Sequence, residues 1–216
     1  MYDLSPVLDT DAVSGVRPGT NVLIAGPAMT GKEQLALEIL ADGSRRGEAA
    51  VVVTTNGQAS AVAEEYRDRV GSENVDLGII DCRGDGGEEG DHEGSFVHHV
   101  SSPADLTGIG IGITKAIEAL HSAGAERGRM ALVSLSTMLT YTDRETVFKF
   151  CHVLSSRLDA AGYLGVFTID SGAHDERTLQ VLQQAFDGLI EIREDDGARQ
   201  IRVRGLTDSP TAWASL

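Results

Sequence analysis

The sequence predicts an α/β fold, with a mostly parallel sheet, helices on both faces and an antiparallel hairpin at the C-terminal end. Three observations predict it. Short apolar, β-branched runs alternate along the chain with helical patterns. The run Ala49–Thr55 (AAVVVTT) is uninterrupted, as a parallel strand buried on both faces requires. The segments Gly188–Arg193 and Arg199–Leu206 flank Asp195-Asp196-Gly197, a hairpin turn signal.

In chain order, residues 1–20 read as a lead-in punctuated by Pro6, Gly15, Pro18 and Gly19. A strand is expected over 21–26 and its helix over 31–46, followed by the strand at Ala49–Thr55. A helix over Ala59–Val70 and a strand over Asp76–Asp81 come next. Gly84–Gly94 (GDGGEEGDHEG) is too polar to bury anything and is expected to be a flexible loop. Phe96–Val100 is a candidate short strand. Asp105–Ala123 reads as a helix despite Gly108, Gly110 and Gly112, which cost about 2–3 kcal/mol in intrinsic propensity. Close packing against the sheet would explain them. Met130–Leu135 is a strand, and Thr142 with Glu145 forms a capping box opening a helix through Val147, Cys151, Leu154 and Leu158. Tyr163–Ile169 is a strand, Glu176–Phe186 a helix, and 207–216 a polar tail. No repeat and no long linker divides the chain, so a single domain over 1–216 is expected.

The chemistry concentrates in Asn21–Glu33 (NVLIAGPAMTGKE). Gly26, Pro27, Ala28, Met29, Thr30, Gly31, Lys32 and Glu33 follow a strand, precede a helix and match GxxxxGK[ST] except at the last position. Glycines let backbone N–H groups turn toward phosphate oxygens. The helix terminus adds partial positive charge, and Lys32 a full one. Glu33 stands where a Ser or Thr would hold Mg²⁺. A carboxylate there suits an empty helix N-terminus but repels a triphosphate unless a cation bridges them.

Acids outnumber bases 33 to 18, a formal net charge of −15, and the lysines are Lys32, Lys115 and Lys149 alone. Such a surface opposes binding to nucleic acid or an anionic membrane. It suits molar salt, where repulsion is screened within about 3 Å. Two cysteines, Cys82 and Cys151, make no disulfide framework, and no apolar run approaches a spanning helix of roughly 18 residues. A cytoplasmic protein is expected.

The order of these landmarks resembles the RecA-like ATPases of the KaiC type over nearly the whole chain. It runs from the P-loop through VVVTTN (51–56), LGIID (77–81), PADLTGIG (103–110), ALVSLSTML (131–139) and GVFTID (165–170) to the final hairpin. The resemblance implies a RecA-like three-layer sandwich, ATP or ADP as ligand, and ring-forming homo-oligomers. It also implies functional positions that this chain alters. The Walker B aspartate falls at Val133, and the water-activating acids at Asn56 and Gly57. The Lys-x-Arg-Gly that faces a neighbour's phosphates falls at Arg202-Val203-Arg204-Gly205. Phosphoryl transfer needs metal-bridged phosphates and an oriented water. Losing each role costs about 10²-fold on a modest scale, and the losses are not additive. Hydrolysis is therefore not expected, Mg²⁺ is not expected to bind conventionally, and no residue is assigned a catalytic or metal-binding role.

The expected function is a nucleotide-binding or pseudo-ATPase protein acting in signal transduction or regulation through protein partners. Two alternatives differ in class. One is an ATPase in which Glu33 coordinates the cation; the other is an assembly subunit whose Arg202 and Arg204 complete a neighbour's site. Minor candidates each have a plainer reading. Asp85, Glu88, Asp91 and His92 lack a metal-ligand spacing, as do Cys82, His92, His98 and His99. Ser134, Ser136 and Thr137 lack a nucleophile elbow. Asp170 and His174 follow a strand's C-terminal end, where α/β folds place functional groups, although a turn and helix cap would suffice. Trp213 is expected to pack the tail onto the body.

Overall fold

The computed structural model describes residues 1–10, 13–84, 90–92, 94–195 and 197–216. Its elements run α1 (Ser5–Leu8), β1 (Asn21–Gly26), α2 (Lys32–Ser44), β2 (Ala49–Thr54), α3 (Ala59–Val70), β3 (Leu77–Asp81), β4 (Gly90–His92) and β5 (Ser95–His99). They continue with α4 (Leu106–Ser122), β6 (Gly128–Val133), α5 (Leu135–Tyr141), α6 (Arg144–Ala161), β7 (Leu164–Asp170), α7 (Glu176–Gln183), β8 (Gly188–Asp195), β9 (Ala198–Arg204) and β10 (Ala214–Ser215). One ten-stranded sheet has the order β10-β9-β8-β1-β7-β6-β2-β3-β5-β4. The seven strands from β8 to β5 pair in parallel. Antiparallel strands close both edges, not the C-terminal one alone.

Period-two alternation builds two cores. Val22 and Ile24 of β1 join Ala50 and Val52 of β2 on the face covered by α2 and α3, with Leu35, Ile39, Ala63 and Tyr66. Leu23, Val51 and Val53 face α4, α5 and α6, with Ile113, Met138, Cys151 and Leu154. The sheet between two helical layers is the expected sandwich.

Four expectations change. First, part of the lead-in belongs to the body, because Tyr2, Leu4 and Leu8 are buried in the first core. The Tyr2 hydroxyl lies 2.8 Å from the Gly128 carbonyl oxygen and 2.7 Å from that of Gly162. Second, α6 is capped one residue later than expected. Thr142 is extended and ends α5, and the Asp143 carboxylate accepts from the Thr146 N–H at 3.0 Å. Third, backbone pairing to β5 makes Gly90–His92 a strand within the stretch expected to be loop. Positions 85–89 and 93 of that stretch, and the side chains of the metal candidates Asp85, Glu88, Asp91 and His92, lie outside the described residues.

Fourth, only two of the α4 glycines press on the sheet. A Cβ at Gly112 would lie 2.4 Å from the His98 ring, and one at Gly108 would lie 3.0 Å from Val100. Gly110 instead floors a groove of about 340 Å³ between α4 and α6.

Burial pushes the thiols of Cys82 and Cys151 up to about 12 and the Tyr163 phenol likewise to about 12; Tyr2 and Tyr66 are also raised. The folded state therefore keeps protons that the unfolded chain releases above its ordinary thiol and phenol values. This stabilisation is complete below about pH 9 and falls as pH rises toward 12. Denaturant midpoints are expected to be flat between about pH 7 and 8.5 and to drop above about pH 9. Both thiols should resist a colorimetric thiol reagent until the chain is unfolded. Native reaction of either one would refute that burial.

Candidate functional site

The central feature is the turn that joins β1 to α2. Strand β1 ends at Gly26, where a Cβ would lie 2.8 Å from Thr30 Oγ1 and 3.0 Å from Ile192 Cβ. The chain then passes through exposed Pro27, Ala28 and Met29. Met29 is left-handed (φ 63°) and 99% exposed, and Gly31 is left-handed (φ 83°) at the helix N-cap. Both Thr30 Oγ1 and Lys32 Nζ donate to the Pro27 carbonyl, at 2.8 and 2.9 Å. These two bonds fold the loop back on itself, and Lys32 is only 7% exposed. Among the described residues, the backbone N–H groups of Ala28, Met29 and Gly31 have no hydrogen-bond partner. N–H groups without partners, left-handed residues and a cation on one short loop are the features shared by backbone anion sites. Glu33 is half-buried in the first turn of α2.

The ends of β6 and β2, two and three strands along the sheet from β1, carry hydroxyls beside Val133 and Asn56. Thr54 Oγ1 accepts from the Gly57 N–H at 2.8 Å, which sets the turn at Asn56-Gly57. Thr55 Oγ1 donates to the Val133 carbonyl at 3.1 Å and lies 3.3 Å from the Ser134 N–H. Ser134 Oγ in turn caps α5 through the Ser136 N–H. The buried carboxylate one strand further out, Asp81, pairs in register with Thr54 but is committed elsewhere. It accepts from the Ala59 N–H at 3.1 Å and from Arg83 Nη2 at 3.1 Å, with His99 Nδ1 3.9 Å away. The loop's donors fit a phosphate. The residues around it do not fit a magnesium ion held through a hydroxyl ligand and an adjoining carboxylate, since Glu33 and Val133 occupy those two places.

Between β1 and those strands lies β7, where Asp170 pairs in register with Gly26. Here the structure unites two groups that sequence reasoning had kept apart. Ser136 Oγ accepts from the Asp170 N–H at 2.8 Å and lies 2.9 Å from His174 Nε2. Asp170 turns its carboxylate to the Gly172 N–H at 2.8 Å, so it does not orient the imidazole. The half-buried Ser–His contact thus ties α5 to the turn after β7 beside the phosphate loop. It lacks the third member of a nucleophilic triad. Thr137 adds no bond to it. His98 is buried against Gly112 of α4, separate from this cluster.

The hairpin arginines divide by strand alternation. Ile201 and Val203 of β9 point into the core beneath α2. Arg199 shares their parity and reaches the phosphate loop, with Nη1 3.5 Å from the Thr30 carbonyl. Arg202 and Arg204 take the other face, where both pair with Glu191, at 2.7 and 3.6 Å. Trp213 stacks on Arg202 and Arg193 at 4.6 and 4.2 Å, while β10 pairs with β9. Trp213 therefore packs the tail as expected, and Arg202 would have to leave both Glu191 and the indole to serve a neighbour. The arginine at the loop went unnoticed in the sequence, although the Arg199–Ile201–Val203 alternation carries the signal.

The model of a family of unknown function, DUF7504, matches residues 19–192. The chain belongs to the DUF7504 family. None of the curated proteins matches it. Among solved structures, this DUF7504 chain is similar to the KaiC-like protein PH0186 of the hyperthermophilic archaeon Pyrococcus horikoshii OT3. That likeness has a TM-score of 0.67 at 15% identity and covers 100% of this chain and 90% of the other. At that identity it establishes the fold, a KaiC-like RecA fold. Among the described residues of the DUF7504 chain, no helix is long and apolar enough to cross a membrane. The family match takes in the β1–α2 loop and Asp170 but stops before β9 and Arg199.

Proposed function

We propose that this DUF7504 protein is a nucleotide-binding regulatory protein, a pseudo-ATPase that acts through a protein partner in a cytoplasm of high salt. One observation carries the reading. The loop at Gly26–Lys32 keeps its cation and its unpaired N–H donors, while Glu33 and Val133 stand where a metal's ligands would be. Bound phosphate would draw Lys32 from the Pro27 carbonyl and receive the loop's backbone donors. A site that binds without turnover can act only by favouring one conformation or one complex over another. This is why the reading includes a partner and a regulatory output.

Calorimetric titration of ADP and ATP in molar KCl, with and without Mg²⁺, tests it alongside an assay of phosphate release. Both nucleotides should bind, and Mg²⁺ should add little. Lys32→Ala should weaken binding about tenfold to a hundredfold, the range of a lost charge-assisted hydrogen bond. Steady phosphate release that Lys32→Ala abolishes would replace this reading with a working ATPase. The absence of any binding heat would leave the loop as a turn alone.

A further inference from the structure

We propose that Arg199, from the β8–β9 hairpin, supplies in cis a second positive charge to a diphosphate seated in the loop, so that the site takes the metal-free form of the nucleotide. The inference rests on the nucleotide-binding reading and says which residue neutralises the ligand.

Four arginines stand on this hairpin. Arg193 pairs with Asp195 at 3.3 Å, and Arg202 and Arg204 pair with Glu191. Arg199 makes no ion pair among the described residues, although acids outnumber bases 33 to 18 and Glu194 lies opposite it in register. Its guanidinium packs against the loop instead: a Cβ at Gly31 would lie 2.6 Å from Nη1. Gly31 supplies the left-handed backbone and leaves room for this close approach.

The contact with the Thr30 carbonyl, at 3.5 Å, is at the limit of a hydrogen bond. Most of the five donors of the guanidinium remain uncommitted, in the fork geometry that matches phosphate oxygens. Arg199 and Lys32 flank Gly31 from two different elements, β9 and α2. Two cations around a diphosphate do the charge neutralisation that a divalent metal does elsewhere. The altered Glu33 and Val133 positions leave that role to them.

The test is titration of metal-free ADP and of pyrophosphate, with EDTA present, into the full chain and into Arg199→Ala, Arg199→Lys, Arg202→Ala and Lys32→Ala. Arg199→Ala is expected to weaken both ligands about tenfold, with Arg199→Lys between it and the parent. Arg202→Ala should stay within about twofold of the parent, because its side chain lies on the opposite face. Arg199 is exposed, so its variants should melt within about 1–2 °C of the parent, which separates lost binding from lost folding. Binding that Lys32→Ala weakens and Arg199→Ala leaves intact overturns the inference and spares the reading beneath it. An equal loss in Arg199→Ala and Arg202→Ala overturns it as a general charge effect. Absence of binding by the parent overturns both.

Discussion

Replacing Arg129 by alanine is expected to lower stability by about 3–5 kcal/mol, the cost of leaving buried charges without their partner. Arg129 lies in the middle of the sheet on β6 and is 0% exposed. Its Nε donates to Glu48 at 2.6 Å, and its Nη1 lies 3.4 Å from Asp42 and also donates to the Ile39 carbonyl. Both carboxylates are themselves buried. Without Arg129 they keep only the outer cations, Arg127 at 3.4 Å from Glu48 and Arg46 at 3.0 Å from Asp42. In a chain of this length the loss corresponds to a fall in melting temperature of about 6–20 °C. Glu48→Gln added to Arg129→Met should recover part of it by removing one orphaned charge. If Arg129→Ala melts within about 3 °C of the parent, the network is hydrated and the argument fails.

Tyr2→Ala is expected to cost a comparable amount, about 3–5 kcal/mol, as for other large buried aromatics. The ring is fully buried, with the Arg127 guanidinium 4.5 Å and the Arg129 guanidinium 5.6 Å from its centroid. Its hydroxyl meets the start of β6 and the turn before β7. Tyr2→Phe keeps the packing and should cost only about 1 kcal/mol. Because Tyr2 touches Arg129, the two losses should not add; the double variant should depart from the sum by about 0.5–3 kcal/mol. Strict additivity in chemical denaturation would show that the N-terminal segment and the buried ion network are independent.

Neither effect was legible in the sequence, and the reason is range. The apolar residues of the first segment, Tyr2, Leu4 and Leu8, are too few to give a periodic signal. The partners of the Tyr2 hydroxyl, at Gly128 and Gly162, lie more than a hundred residues away. Arg129 interrupts an apolar strand, and nothing local tells which acids it meets. Local order, by contrast, was readable. The strands at 21–26 and 49–54 and the helix at 59–70 fall where periodicity and punctuation put them. Helix α5 escaped because seven residues hide between a strand and a longer helix.

The turn between β1 and α2 was legible as a pattern of glycines and a lysine; its surroundings were less so. Family likeness drew attention to Arg202 and Arg204, whereas the simple parity of β9 selects Arg199. The contact between Ser136 and His174 joins segments 38 residues apart that share no pattern.

The stacking of Trp213 over the hairpin arginines has a practical corollary. It is the only tryptophan in the chain, and it rests on the strand that carries Arg199. Its emission is expected to change when either of the two guanidinium groups beside it moves, so the protein contains its own optical probe. Fluorescence can follow the hairpin through a titration with no dye attached and no second indole to confuse the signal.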